Sequence, residues 1–326
     1  MNNLFLLAAA LACCWAQPAQ AQYRLRFDDA VWEKTFEDNF DGTVLDTIEW
    51  ATSPDKKGNP TRQLDGWGSE WYDAQDTSLV TVSQGVAHLK AKRWVSDQLA
   101  PMAETVTINN ITRTVRYRSG MLLSRGGFRD WRTHSLQSAF GAWEARIKLP
   151  TNRNAWPAFW LWSPGTEIDI VDGMDVDNHT QSGLFSNVFD GFYKDSTAMP
   201  HYQQNAAPHR LKIWADPSKP YVTVLSDDFH TYSIVWTPSI LTFFVDGIET
   251  RTVPRSEVVT RDGYPEIRLT LQMWYWAGSE AKPDLTEMAQ MDVDWVRIRK
   301  PRAKRRRSNI RNYEVPDSSY KEKVTE

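Results

Sequence analysis

The sequence predicts an all-β protein, a sandwich of two antiparallel sheets, and three observations carry that prediction. Short alternating or β-rich runs recur at 79–82, 87–91, 142–149, 211–215, 232–237, 241–245, 267–276 and 291–298. Clusters of Gly, Pro, Asn and Asp, among them Asp246-Gly247 and Asp262-Gly263, punctuate them. No long run repeats its apolar residues with a helical period. With 326 residues, 41% of them hydrophobic and 24% charged, the chain can bury one large core. A single domain over 22–299 is therefore expected, without internal repeats.

At the N-terminal end, an apolar run from Leu4 to Trp15 precedes the small-residue pattern Ala19-Gln20-Ala21. This reads as a secretory signal peptide over 1–21, and the run is too short to span a bilayer. The expected location is extracellular, with the periplasm or cell surface as alternatives, and no transmembrane segment is expected. Cys13 and Cys14, the two cysteines of the chain, fall inside that segment. The exported chain then has no disulfide and no thiolate for zinc or catalysis.

At the other end, residues 300–326 carry nine Lys or Arg against four Asp or Glu and little apolar content, so a basic, disordered tail is expected. Two sharper readings of it are a processing site at Arg302–Arg305 or a tether to an acidic surface. The whole chain is net −3, which leaves residues 1–299 at net −8. An exported acidic body argues against nucleic acid as a partner.

The chemistry concentrates between these ends. The stretch "WPAFWLWSPGTEIDIVDGMD", beginning at Trp156, sets three tryptophans beside four carboxylates in a chain that holds sixteen tryptophans. Strand alternation puts Trp156, Ala158, Trp160 and Trp162 on one face and Pro157, Phe159 and Leu161 on the other. In the run 267–276, Leu269, Leu271, Met273 and Tyr275 make an apolar face, opposite Thr270, Gln272, Trp274 and Trp276. The mixed faces suit a wet groove whose rings meet the C–H faces of sugars; the alternative is that these tryptophans fill the core. Trp143, alternating with Ala145 and Ile147, is expected in the core.

Glu167 and Asp169 share a strand face, whereas Asp172 sits three residues further on and would face the wrong way in a regular strand. One bulged residue near Ile170 or Val171 returns it to the same face, as bulges do beside active sites. Two carboxylates about 5–5.5 Å apart are what a retaining glycosidase uses, one as nucleophile and one as acid then base. A carboxyl between them would hydrogen-bond the nucleophile. An acidic edge strand or a cation site is the competing reading.

The stretch from Glu167 to Asp172 resembles the active strand of glycoside hydrolase family 16, the laminarinase, agarase and carrageenase group, in its bulged form Glu-x-Asp-x-x-Glu. Further blocks in order are similar to that family: "FEDNFDGTVLDTIEW" from Phe36, "GWGSEWY" from Gly66, "FGAWEARIKLP" from Phe140, "DFHTYSIVWTPSILTFFVDG" from Asp228 and "MDVDWVRIRK" from Met291. The resemblance implies a concanavalin-like β-jelly roll with a concave sugar cleft. It also implies a monomeric, secreted, endo-acting retaining hydrolase of a polysaccharide, with β-1,3-glucan first and an agarose or carrageenan type of galactan second. Glu167 would be the nucleophile, Asp169 its helper and Asp172 the acid/base, with Asp standing where the family has Glu.

The sugar contacts implied are Trp156, Trp160, Asn187, Gln272, Trp274 and Trp276; Phe189 stands where relatives commonly carry His. The chemistry needs no cofactor, and a structural calcium is implied at Glu37, Gly85 and Asp294. The shortened acid/base keeps a carbohydrate-binding protein of the same fold as the rival.

Overall fold

The computed structural model describes residues 23–53, 62–63, 68–95, 102–108, 111–125, 140–152, 154–163, 166–175, 183–190, 203–204, 209–212, 225–254, 265–273, 288–302 and 315–324. The signal expected at 1–21, Trp274 and Trp276 lie outside the described residues. In chain order the main strands begin with β1 (Tyr23–Leu25), β2 (Trp32–Asp38), β3 (Glu70–Asp73), β4 (Val80–Ser83), β5 (Val86–Arg93), β6 (Tyr117–Ser119) and β7 (Met121–Ser124). They continue with β8 (Gly141–Lys148), β9 (Ala155–Ser163), β10 (Thr166–Asp175), β11 (Gly183–Asp190) and β12 (His230–Trp236). The last are β13 (Ile240–Val245), β14 (Ile248–Pro254), β15 (Glu266–Met273), β16 (Met288–Pro301) and β17 (Lys321–Lys323), and shorter strands lie between.

The larger sheet runs β17-β1-β14-β13-β12-β8-β16-β5-β6-β3, with β2 on β16 and β4 on β5. The smaller runs β11-β10-β9-β15-β7. Neighbours are antiparallel except at one edge, where β6 runs parallel to β3. Long-range pairing of this kind, with β8 between β12 and β16, ties the larger sheet together, and Glu104–Ile108 pairs with Ile111–Val115 as a separate two-stranded sheet.

The alternating residues read from the sequence form the core between the sheets. Trp143, Ala145 and Ile147 of β8, Ile234 and Trp236 of β12 and Val293, Val296 and Ile298 of β16 meet Phe159 and Leu161 of β9, Ile168 of β10 and Ile267, Leu269, Leu271 and Met273 of β15. Trp143 is 1% exposed and packs on Trp236, ring centroids 6.2 Å apart. The β4–β5 connection is a two-residue turn in which Gln84 and Gly85 have φ of 53° and 74°. Those positive angles are what a right-twisted hairpin needs. On the outer face of this sheet Ser83 Oγ lies 2.9 Å from His88 Nε2, and His88 Nδ1 lies 2.7 Å from Asp292 Oδ1. This chain of side chains fastens the hairpin to β16.

The expected boundary at 299 and the disordered tail after it are corrected by the structure. Strand β16 runs through Pro301. Residues 315–324 fold back: β17 pairs with β1, Tyr23 opposite Lys323 and Leu25 opposite Lys321. Tyr320 is fully buried in a second apolar cluster with Trp32, Ala142, Val235, Phe244 and Val315. Composition hid this because the segment contributes only two large apolar contacts, Val315 and Tyr320, between charged neighbours; its order comes from the partner surface. Trp32 Nε1 donates to Ser319 Oγ at 3.1 Å and Lys321 pairs with Glu249 at 3.1 Å, which ties that plug to the sheet.

Candidate active site

The site is laid out by the register of β10, β9 and β15. Strand β9 has a mixed-polarity face because its neighbours on both sides supply polar residues at the same alternation. Glu167 stands across from Trp162, which stands across from Glu266. In the next row Asp169, Trp160 and Arg268 follow, and in the third Asp172, Ala158 and Thr270. Beyond them Trp156 faces Gln272.

The expected bulge is present and lies at Ile170. On the β9 side Val171 pairs with Phe159 and Asp169 with Trp160, leaving Ile170 extra. On the β11 side Asp169 pairs with Asn187 and Asp172 with Phe185, so two residues oppose one there too. Ile170 and Val171 are both buried in the core, and Asp172 returns to the face of Glu167 and Asp169. Glu167 and Asp172 are four β11 residues apart, Phe189 to Phe185. At the rise of a strand this is about 13 Å between their Cα atoms, so the two side chains must lean together over Asp169 to act on one bond. A second register shift sets Asp175 opposite Gly183. That places its Cα about 20 Å from that of Glu167, too far for it to replace Asp172.

Among the residues expected to touch sugar, Trp156 and Trp160 are on the cleft face but are 7% and 9% exposed. Each indole N–H is engaged: Trp156 Nε1 donates to Asp172 Oδ1, and Trp160 Nε1 donates to Thr270 Oγ1 at 3.1 Å. Gln272 is buried as well. Asn187 stands opposite Asp169 in the backbone register, and its side chain lies outside the described residues.

Sequence reasoning missed Arg268 and Glu266. The Arg268 guanidinium lies 4.7 Å from the ring centroid of Trp160 and 4.8 Å from that of Trp162, and its Nε donates to Glu266 Oε1 at 3.0 Å. Arg268, Glu266 and Trp160 are buried and Trp162 is half-buried, so the stacking and the ion pair act in a low-dielectric setting where both are strengthened. Following the polar alternation of that run back from Thr270 reaches Arg268 inside it and Glu266 just before it, both on the Thr270 face. Glu70, in the block "GWGSEWY", is another such residue: it is 1% exposed and its Oε2 accepts from the Met273 N–H at 2.7 Å, fixing the end of β15.

The residues expected to hold calcium do not fit that ion as arranged. Glu37 accepts from Lys34 and, at 2.6 Å, from Arg297 Nε. The Lys34 hydrogen bond, and then Arg297, hold its carboxyl below the usual glutamate range. Asp294 is bound by Arg146 instead. The two carboxylates are thus directed at different cations, and Gly85 sits in the hairpin turn. Among the described residues, no three His, Cys, Asp or Glu side chains form a metal-binding group.

Comparison with known proteins shows the family and the fold. The family described as "Glycosyl hydrolases family 16" matches residues 124–297, more than half of the chain. Glucan endo-1,3-beta-glucosidase A1 of Niallia circulans is 23% identical over 223 residues, 65% of this chain and 28% of that protein. Endo-1,3-1,4-beta-glycanase EglC of Rhizobium meliloti is 24% identical over 301 residues, 84% of this chain and 55% of that protein. The chain thus spans between about a quarter and about half of these relatives' lengths. The crystal structure of SCLam, titled a non-specific endo-beta-1,3(4)-glucanase from family GH16, superposes with a TM-score of 0.59 at 19% identity, covering 86% of this chain and 96% of that one. This likeness shows the fold, a β-jelly roll. With the family matched across β8 to β16 and the bulged carboxylate strand in its register, the chain belongs to glycosyl hydrolase family 16.

Proposed function

We propose that the protein is a secreted, endo-acting glycoside hydrolase that cleaves internal β-linkages of a polysaccharide with retention, β-1,3-glucan foremost. The observation that carries this reading is the bulge at Ile170, which sets Glu167, Asp169 and Asp172 on one face beside Trp160 and Trp162. In this reading Glu167 attacks the anomeric carbon while Asp172 protonates the leaving oxygen, and water then releases the sugar with Asp172 as base. Asp169, 6% exposed between them, positions the nucleophile. The names of the glucan-cleaving relatives favour a β-glucan, and the net charge of −8 over residues 1–299 disfavours a sulfated galactan. The catalytic unit is taken to begin at residue 22 and to include β16 through Pro301 and the segment 315–324 that pairs with β1, acting as a monomer and exported by its first 21 residues. Among the described residues no helix is long and apolar enough to cross a membrane.

A second reading, a carbohydrate-binding protein without turnover, is favoured by one observation: the carboxylate at 172 belongs to Asp, one methylene shorter than Glu. Product analysis decides. The chain should release oligosaccharides from laminarin or mixed-linkage glucan in preference to agarose and carrageenan, and proton NMR of the first products should show the β-anomer. An α-anomer would overturn the mechanism, products longer than the substrate would indicate transfer to sugar, and saturable binding without products on any polymer would establish the binder.

A further inference from the structure

We propose that Trp156 is the positioning residue for Asp172, and that it decides which carboxylate oxygen delivers the proton. The inference rests on the reading of Asp172 as acid/base. Its carrying observation is the hydrogen bond from Trp156 Nε1 to Asp172 Oδ1. Directly across from Asp172 on β9 stands Ala158, whose small side chain leaves that row open beside the indole. The next residue pair is equally constrained, from the other face of the sheet. A Cβ on Gly173 would lie 2.9 Å from Pro157 Cγ and 3.1 Å from both Pro157 Cδ and the Pro157 carbonyl oxygen, so no side chain fits there. Trp156-Pro157 therefore grips Asp172-Gly173 through both faces, fixing the backbone and one carboxylate oxygen together.

The chemistry of the donor gives this grip a consequence. An indole N–H donates and cannot accept, so Oδ1 cannot direct a proton toward it. The carbonyl oxygen of a carboxyl is the better acceptor for that N–H, so the contact at Oδ1 assigns the transferred proton to Oδ2. In the first step the Oδ2–H bond breaks as its proton passes to the glycosidic oxygen, the C1–O bond to the leaving sugar breaks, and a Glu167 oxygen bonds to C1. In the second step Oδ2 takes a proton from water, whose oxygen bonds to C1 and displaces Glu167. A short aspartate has little reach, so a torsion left free would place Oδ2 off the leaving oxygen, and misplacements near 1 Å cost on the order of a hundredfold. This assigns Trp156 to proton transfer and not to a sugar platform.

The test is Trp156→Phe, which keeps an aromatic ring and removes the N–H. On phenyl β-laminaribioside, whose leaving group needs protonation, kcat/KM should fall roughly 10- to 100-fold. On the dinitrophenyl analogue, whose leaving group does not, kcat/KM should change less than about twofold. Equal losses on both substrates would overturn the proposal and return Trp156 to sugar binding. A second measurement does not depend on turnover. The indole 1H–15N cross-peak that disappears in Trp156→Phe should move in Asp172→Asn, and a cross-peak that stays in place would refute the contact. Should the wild type cleave neither glycoside, the reading of Asp172 as acid fails and the proton-transfer role falls with it, whereas the cross-peak still reports whether Trp156 holds that carboxylate.

Discussion

Asp172 faces the hardest geometric demand in the molecule, since it must act across a span set by four strand residues with one methylene fewer than a glutamate. If it is the acid/base, Asp172→Asn should lower turnover of the polymer by ~10² to 10⁴, and Asp172→Glu should raise it above the wild type. Glu167→Gln should be slower still because it removes the covalent step. Initial rates of reducing-end release measure all three. Lys300 offers a residue-scale test of the core. Its ammonium donates to the Phe140 carbonyl at 3.0 Å and lies 4.4 Å from the Trp143 ring centroid, and burial lowers its pKa from 10.5 to about 7. Below pH 7 both folded and unfolded chains hold this proton. Between about pH 7 and 10.5 the unfolded chain binds it and the folded chain does not, so this group makes stability rise with pH across that window. Denaturant midpoints at pH 6 and pH 9 should therefore differ more in the wild type than in Lys300→Met.

At the scale of the element, the bulge in β10 is the feature on which the carboxylate face depends. Removing Ile170 restores strict alternation with Asp172 two residues after Asp169, so the carboxylate stays on the face of Glu167 and Asp169 with Val171 still toward the core. We expect the deletion to retain cleavage while lowering stability, and Ile170→Val to retain it at a cost of ~0.5 to 1.5 kcal/mol in stability; activity paired with a melting curve checks both, and loss of activity in a folded deletion variant would show that the bulge itself is needed. This element was legible in the sequence for a physical reason. The spacing Glu167, Asp169, Asp172 violates the period of two, and only one extra residue repairs it. The place of Arg268 on the polar face was within reach of the alternation, but its stacking was not legible, because a cation beneath two tryptophans has no periodic signature of its own and its partner Glu266 lies just outside the apolar run. Glu70 was equally hidden, since its function is to bind a backbone N–H some two hundred residues away.

At the scale of the whole molecule, the two sheets follow from the alternation of Trp143, Ala145 and Ile147, of Leu269, Leu271 and Met273, and of the other core strands, which is why the sandwich could be read from the chain. Segment 315–324 could not be, because its affinity for the sheet resides in the surface it meets. The pairing of β17 with β1 turns that segment into a detachable strand. A chain cut in the basic stretch between Arg302 and Val315 would become two polypeptides held by the pairing of β17 with β1, by the buried Val315 and Tyr320, and by the contacts of Ser319 with Trp32 and Lys321 with Glu249. Such a nicked protein should stay assembled in buffer, and a synthetic 315–326 peptide should raise the melting temperature of chain 22–314 in a saturable way. The Tyr320→Ala peptide should not, since losing that ring removes ~3 to 5 kcal/mol. The fold thus carries the basis of a two-fragment complementation assay, with reassembly read from the edge of the larger sheet while the carboxylates of the other sheet are left untouched.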